Sequence, residues 1–95
     1  MKPKEHQKIN DRIRQKMDVI YFSKEIQTYS DWDLGRIMSK VKHFNSFSIE
    51  NDPHKVHDFG IITHRGERIC WKIETVYPQN VPFKKYLVIM KASEY

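Results

Sequence analysis

The pattern that most restricts this chain is the change of hydrophobic period in its second half. From Phe59 to Tyr77 apolar and polar residues alternate, and the alternation is broken at Arg65-Gly66. A period of two sends successive side chains to opposite faces, so such a run is a strand with one covered face. A two-residue break ending in glycine is the tight turn that joins antiparallel neighbours. Phe59, Ile61 and Thr63 share one parity before the turn, and Ile69, Trp71, Ile73, Thr75 and Tyr77 share one after it. The spacing therefore predicts a hairpin that buries these residues, with Trp71, Phe59 and Ile73 in the core. Phe47 and Ile49 predict an earlier strand, ended by the polar, proline-fixed turn Asn51-Asp52-Pro53. After a loop over Pro78 to Pro82, the run Tyr86 to Met90 is apolar on both parities, as in a central strand covered on both sides.

The first half reads as helical. Pro3 suits a first helical position, and a helix over 3–16 would align Lys4, Lys8, Arg12 and Lys16 as one slowly drifting stripe. Ile9, Ile13 and Met17 form a narrow apolar stripe beside it, so one side docks and the other faces solvent or a partner. Asp18 to Phe22 then reads as a short strand. Ser30, followed by Asp31 and Asp33, is a helix cap with acid in the first turn, and Leu34, Ile37, Met38 and Val41 make the core-facing stripe of a helix over 30–43. Lys40, Lys42 and His43 suit the negative end of its dipole. Gly35 within it implies close packing or a shifted start. The expected architecture is α+β: two helices on one face of an antiparallel sheet of about four to five strands over 44–92, in a single domain spanning 1–95.

Composition narrows the function classes. At 95 residues, 39% of them hydrophobic, the chain is apolar enough to fold. A mean hydropathy of -0.74 and the lack of a long uncharged apolar run exclude a membrane span. One cysteine makes no internal disulfide, and Met1 to Pro3 leads into charge rather than a signal segment, so an intracellular, cytoplasmic protein is expected. The net charge of +5 favours acidic partners. Residues 1–16 hold six basic side chains against Glu5 and Asp11, so the excess is an N-terminal property. Lys4, Lys8, Arg12 and Lys16 are accordingly the candidate partner-binding residues, set against the plainer reading of a solvated helix face.

The densest polar cluster is Asn51, Asp52, His54, His57 and Asp58, with His64 across the hairpin. Asp52, His54, His57 and His64 are the residue types of a zinc site, which needs three or four converging ligands. Against this, a turn of this composition caps its own backbone with Asp and Asn while its histidines bond locally. Cys70 has the parity opposite to Trp71 and reads as a buried or half-buried thiol rather than a nucleophile. The chain has no glycine-rich phosphate loop, nucleophile elbow or paired carboxylates on one helical face, so neither catalysis nor a cofactor is expected. Trp32, Trp71, Tyr77 and Tyr86 are the aromatics that stacking on nucleic acid would need, but Trp71 and Tyr77 share the core parity of their strand.

The segments Phe44-Asn-Ser-Phe47, Asn51-Asp-Pro53, His57-Asp-Phe-Gly60, Trp71-Lys-Ile73 and Leu87-Val-Ile-Met90, leading to Ala92-Ser-Glu-Tyr95, resemble a bacterial domain-of-unknown-function family found mainly in proteins of plasmids, phages and other mobile elements. The resemblance covers about residues 44–95, with a weaker echo at Ile9-Asn-Asp-Arg12. It departs at Val56, where the family usually has an acidic residue, and at Glu74, where it has Asp. The resemblance implies context rather than chemistry. A small non-catalytic binding protein that modulates or inhibits a host nucleic-acid-processing or defence complex, in an anti-CRISPR-like or other anti-defence role, is the expectation. Its partner would be a host protein or ribonucleoprotein complex. A nucleic-acid-binding regulator and a metal-dependent hydrolase are the alternatives.

Overall fold

The computed structural model describes residues 2–79 and 84–95. Helix α1 spans Pro3–Lys16 with proline in its first turn, and ends where Met17 turns left-handed at φ 53° and donates its N–H to the Ile13 carbonyl. Strand β1 (Ile20–Phe22) follows, and a short 3-10 turn (Ile26–Thr28) leads to helix α2 (Asp31–Lys42). Ser30 caps α2 by accepting from the Asp33 N–H. Strands β2 (Phe59–His64), β3 (Glu67–Val76) and β4 (Lys84–Lys91) complete the sheet, and a 3-10 turn (Ala92–Glu94) follows. The loop expected from Pro78 lies outside the described residues from Asn80 onward.

Among the described residues the sheet has four strands, in the order β1-β4-β3-β2. The β2–β3–β4 portion is antiparallel, and β4 is central as its double-parity apolar run predicts. The expectation of a purely antiparallel sheet is corrected at β1, which runs parallel to β4 with Ile20 opposite Leu87 and Phe22 opposite Ile89. Alternation reports the face a side chain occupies, not the direction of the neighbouring strand, so a strand this short carries no direction signal.

One face of the sheet carries the core. Ile62, Ile69, Trp71, Ile73, Leu87 and Ile89 cluster there with Ile26 and with Ile37 and Val41 of α2, while Ile13 and Met17 pack against the group. Helix α1 lies against β3, β4 and α2, and α2 against β2. On the opposite face the C-terminal turn folds back over β3, placing the Tyr95 ring 5.3 Å from that of Phe59. Cys70 points to this second face and is buried, and burial pushes its thiol pKa upward.

The hairpin forms, but β2 has the other parity. Arg65 and Gly66 both take positive φ, 50° and 79°, the geometry of a two-residue primed turn. That turn sets Ile62 opposite Ile69 and Gly60 opposite Trp71, so Gly60, Ile62 and His64 face the core, not Phe59, Ile61 and Thr63. Trp71 itself enforces the choice: a Cβ on Gly60 would lie 2.5 Å from the indole Nε1 and 2.7 Å from Phe44 Cζ. Phe59 is consequently half-buried rather than core.

Other expectations change for local reasons. Tyr77 lies beyond the end of β3 and is exposed. The strand expected at Phe47 and Ile49 is absent: 44–50 is irregular, Ile49 is exposed, and Asn51 ties the segment into a turn by accepting from Ser48 N and donating to the Ser46 carbonyl. Side-chain amides that satisfy nearby backbone groups remove the need for a ladder. Gly35 sits in the exposed interior of α2, and a Cβ at that position would meet no heavy atom of the described residues within 4 Å, so neither close packing nor a shifted helix start explains it.

The two glycines should therefore respond oppositely to alanine in chemical denaturation. Gly35→Ala should stabilise by about 0.5–1 kcal/mol, and Gly60→Ala should destabilise by about 1–3 kcal/mol through overpacking against Trp71.

Candidate functional site

The side of α1 that meets the domain is mainly polar. Gln7, Asn10, Asp11 and Arg14 stand at i, i+3, i+4 and i+7, and Asn10 and Arg14 are each only 2% exposed. Asn10 Nδ2 donates to the Val56 carbonyl at 2.8 Å, and its Oδ1 accepts from Lys85 Nζ at 2.9 Å. Gln7 Nε2 donates to the Lys55 carbonyl. Asn10 thus joins the helix to both the 51–58 loop and β4. Burial lowers the Lys85 pKa, and the nearby Asp58 charge works in the opposite direction.

The loop that receives this helix is shaped by Asp52. Its Oδ1 accepts from the backbone N–H of Val56 at 3.0 Å and of His57 at 3.2 Å. Lys55 and His57 both adopt left-handed backbone, at φ 57° and 58°, a conformation costly for side-chain-bearing residues and sustained by surrounding contacts. The turn lays the His57 ring flat on Phe47, with centroids 3.7 Å apart and planes 4° from parallel. His57 Nδ1 lies 3.0 Å from Asp11 Oδ1, while Nε2 lies 3.7 Å from Asp52 Oδ2. His57 therefore sits between a carboxylate of α1 and one of its own loop.

Behind this pair lies Arg14. Its guanidinium carbon is 5.5 Å from the Phe47 ring centroid and 5.1 Å from that of Trp71, and Nη1 reaches Asp11 at 3.4 Å. Burial lowers the Arg14 pKa, and the Asp11 charge partly restores it. A groove of about 540 Å³ opens beside these residues, between the second half of α1 and the end of α2.

The four residues weighed as an alternative metal site do not converge. Asp52 and His57 meet, but His54 is exposed, and His64 Nε2 bonds Asp33 Oδ1 at 2.8 Å in a separate cluster with Arg65. That His64 hydrogen bond is the main cause holding the Asp33 carboxyl below its usual range. Among the described residues, no three His, Cys, Asp or Glu side chains are grouped to hold a metal ion. The basic stripe is placed differently: Lys4, Lys8, Arg12 and Lys16 are all exposed on α1, and none is ion-paired among the described residues.

Sequence reasoning misses the polar seam because it assigns docking to Ile9, Ile13 and Met17. The signal is present in the helical spacing of Gln7, Asn10, Asp11 and Arg14, which reads as a solvated face until the loop carbonyls beneath it are known. Exposed Trp32, which the sequence marks only as a stacking candidate, has Arg36 and Arg65 at 5.6 and 5.3 Å from its ring.

Replacing Asn10 by Ala should destabilise the fold by about 1–3 kcal/mol, since it strips partners from a desolvated lysine and a loop carbonyl. Lys8→Ala on the outer face should stay within about 0.5 kcal/mol of the unaltered protein. Denaturant titration of both variants measures the difference.

No curated protein and no solved structure gives a significant match to this chain. One family model does match, over residues 22–85, which takes in α2, the loop carrying Asp52 and His57, and strands β2 and β3. It includes 22–43, which sequence reading alone does not relate to any family, and stops short of the Leu87–Tyr95 segment that contributes to the resemblance. With more than half of its length matched, the chain belongs to the family described as "Protein of unknown function (DUF3768)".

Proposed function

We propose that this chain is a small non-catalytic binding protein whose α1 docks, through Lys4, Lys8, Arg12 and Lys16, on an acidic surface of a host protein or ribonucleoprotein complex in the cytoplasm. The observation that carries this reading is the pairing of opposites on one helix. One face holds four exposed cations without ion-pair partners among the described residues, and the other is fixed to the domain by Asn10, Asp11 and Arg14. Successive like charges at i, i+4 work against a helix by a few tenths of a kcal/mol per pair. An acidic partner would relieve that repulsion, and a rigidly held helix loses little freedom on binding.

The resemblance to proteins of mobile elements supports a particular class of target: a nucleic-acid-processing or defence complex of the host, which the bound protein would modulate or inhibit in an anti-CRISPR-like or other anti-defence role. The same stripe also suits a nucleic-acid backbone, whose binding would weaken steeply with salt as counterions are released. No helix in the described residues is long and apolar enough to cross a membrane.

Capture from bacterial lysate, with and without nuclease, tests the reading when the chain is compared with a variant carrying Lys4→Glu, Lys8→Glu, Arg12→Glu and Lys16→Glu. A protein of a processing or defence complex should survive nuclease on the unaltered chain and fall at least tenfold on the variant, whose thermal midpoint should move by no more than about 4 °C. Equal retention by both chains would remove the stripe from the interface. Material lost with nuclease would transfer the role to nucleic-acid binding.

A further inference from the structure

The groove beside α1 holds a charge that the fold leaves under-satisfied. Arg14 is 2% exposed and borders the groove, yet its one hydrogen bond among the described residues is the 3.4 Å contact to Asp11, and its Nε has no acceptor. A guanidinium has five donors, and buried donors are seldom left unused. Asp11 is a shared counter-charge, lying closer to His57 Nδ1 at 3.0 Å than to Arg14. The two ring contacts hold the guanidinium in place without offering it an oxygen.

The opposite wall brings further donors. Lys42 and His43, at the end of α2, line the groove with Asn45 and Gln15, and both are exposed. Lys42 has no ion-pair partner among the described residues. Gln15 and Asp11 also line the neighbouring recess that contains Lys8, Arg12 and Lys16, so the groove continues into the basic stripe.

We propose that this groove is a phosphate-binding site, in which Arg14 on α1 and Lys42 at the end of α2 hold the oxygens of one phosphoryl group and the Gln15 and Asn45 side chains complete its hydrogen bonding. Donors that arrive from two helices and a loop suit a tetrahedral oxyanion, whose oxygens diverge, better than a planar carboxylate. The phosphate can come from a nucleic-acid backbone or from a free nucleotide. The site goes beyond the proposed docking role, whose contacts are Lys4, Lys8, Arg12 and Lys16 and to which Arg14 contributes only by holding the helix in place.

The test is an NMR titration of the full chain with inorganic phosphate, a nucleoside monophosphate, a single-stranded oligonucleotide and, as a control, acetate. The Arg14 Nε–H, the Gln15 and Asn45 side-chain amides and the His43 backbone N–H are the reporters. Phosphate-bearing probes should give saturable shifts at these groups by about 10 mM, where a site of millimolar affinity is filled. Lys42→Gln, on the exposed rim, should weaken binding about tenfold, the loss of one charge-assisted hydrogen bond, while Lys4→Gln with Lys8→Gln should leave the affinity for inorganic phosphate within about twofold, since neither residue lines the groove. Tighter, salt-sensitive binding of the oligonucleotide identifies a nucleic-acid backbone as the source, and equal binding of the monophosphate identifies a free nucleotide. No saturable shift with any probe, an equal response to acetate, or unchanged affinity in Lys42→Gln would overturn the site. The outcome with inorganic phosphate is independent of the lysate capture, because none of Lys4, Lys8, Arg12 and Lys16 lines the groove.

Discussion

The structure depends on a polar seam between α1 and the 51–58 loop. Asn10 spans it, bonded to the Val56 carbonyl on one side and to Lys85 on the other, while Asp11 meets His57 and Arg14 lies against the rings of Phe47 and Trp71. A helix of this length is marginal in water by itself, and its repeated like charges weaken it further. Helical order in α1 is therefore conferred largely by the domain. A wholly apolar docking face would give burial energy with less directional control. Here the donors and acceptors fix both the rotation and the axial position of the helix, because each must reach a particular carbonyl or carboxylate.

The seam is connected to the core through Trp71. Its indole occupies the space a side chain at position 60 would need, its ring contacts Phe44 and Phe47, and Arg14 packs over it from the helix. The hairpin register that puts Gly60 opposite Trp71 thus also determines where Arg14 can lie. Asp52 performs the matching task on the loop side, holding two amides so that His57 stacks on Phe47. Core register, loop conformation and helix placement are coupled through these few residues, and the exposed charges of α1 are presented as a consequence.

Much of this architecture is legible from residue order. The bounds of α1, the cap at Ser30, the core stripe of α2, the Arg65-Gly66 hairpin and the central position of β4 follow from local patterns with direct physical meaning. The features that residue order does not reveal depend on contacts distant in sequence. Phe59 and Ile61 are apolar and so suggest the wrong parity for β2, whereas the turn register and the bulk of Trp71 select Gly60 and Ile62. The direction of β1 has no local signature. In the candidate site, His57 and Asp52 stand out as neighbours in one polar cluster, but the carboxylate completing the arrangement comes from Asp11, 46 residues away from His57 in the chain. Arg14 reads in sequence as one more surface cation, and only its burial against two aromatic rings separates it from Arg12.

Function, on this reading, rests on α1 being a fixed platform rather than a loosely attached arm. Native-state hydrogen exchange measures that property directly, by comparing amides of Asn10 to Arg14 with those of Trp71 and Ile89 in the sheet. Anchoring by the polar seam predicts protection of the α1 amides to within about 2 kcal/mol of the most stable sheet amides, so that the helix opens only in near-global unfolding. Exchange of α1 at the rate of a fraying terminus, with β3 and β4 still protected, would contradict it.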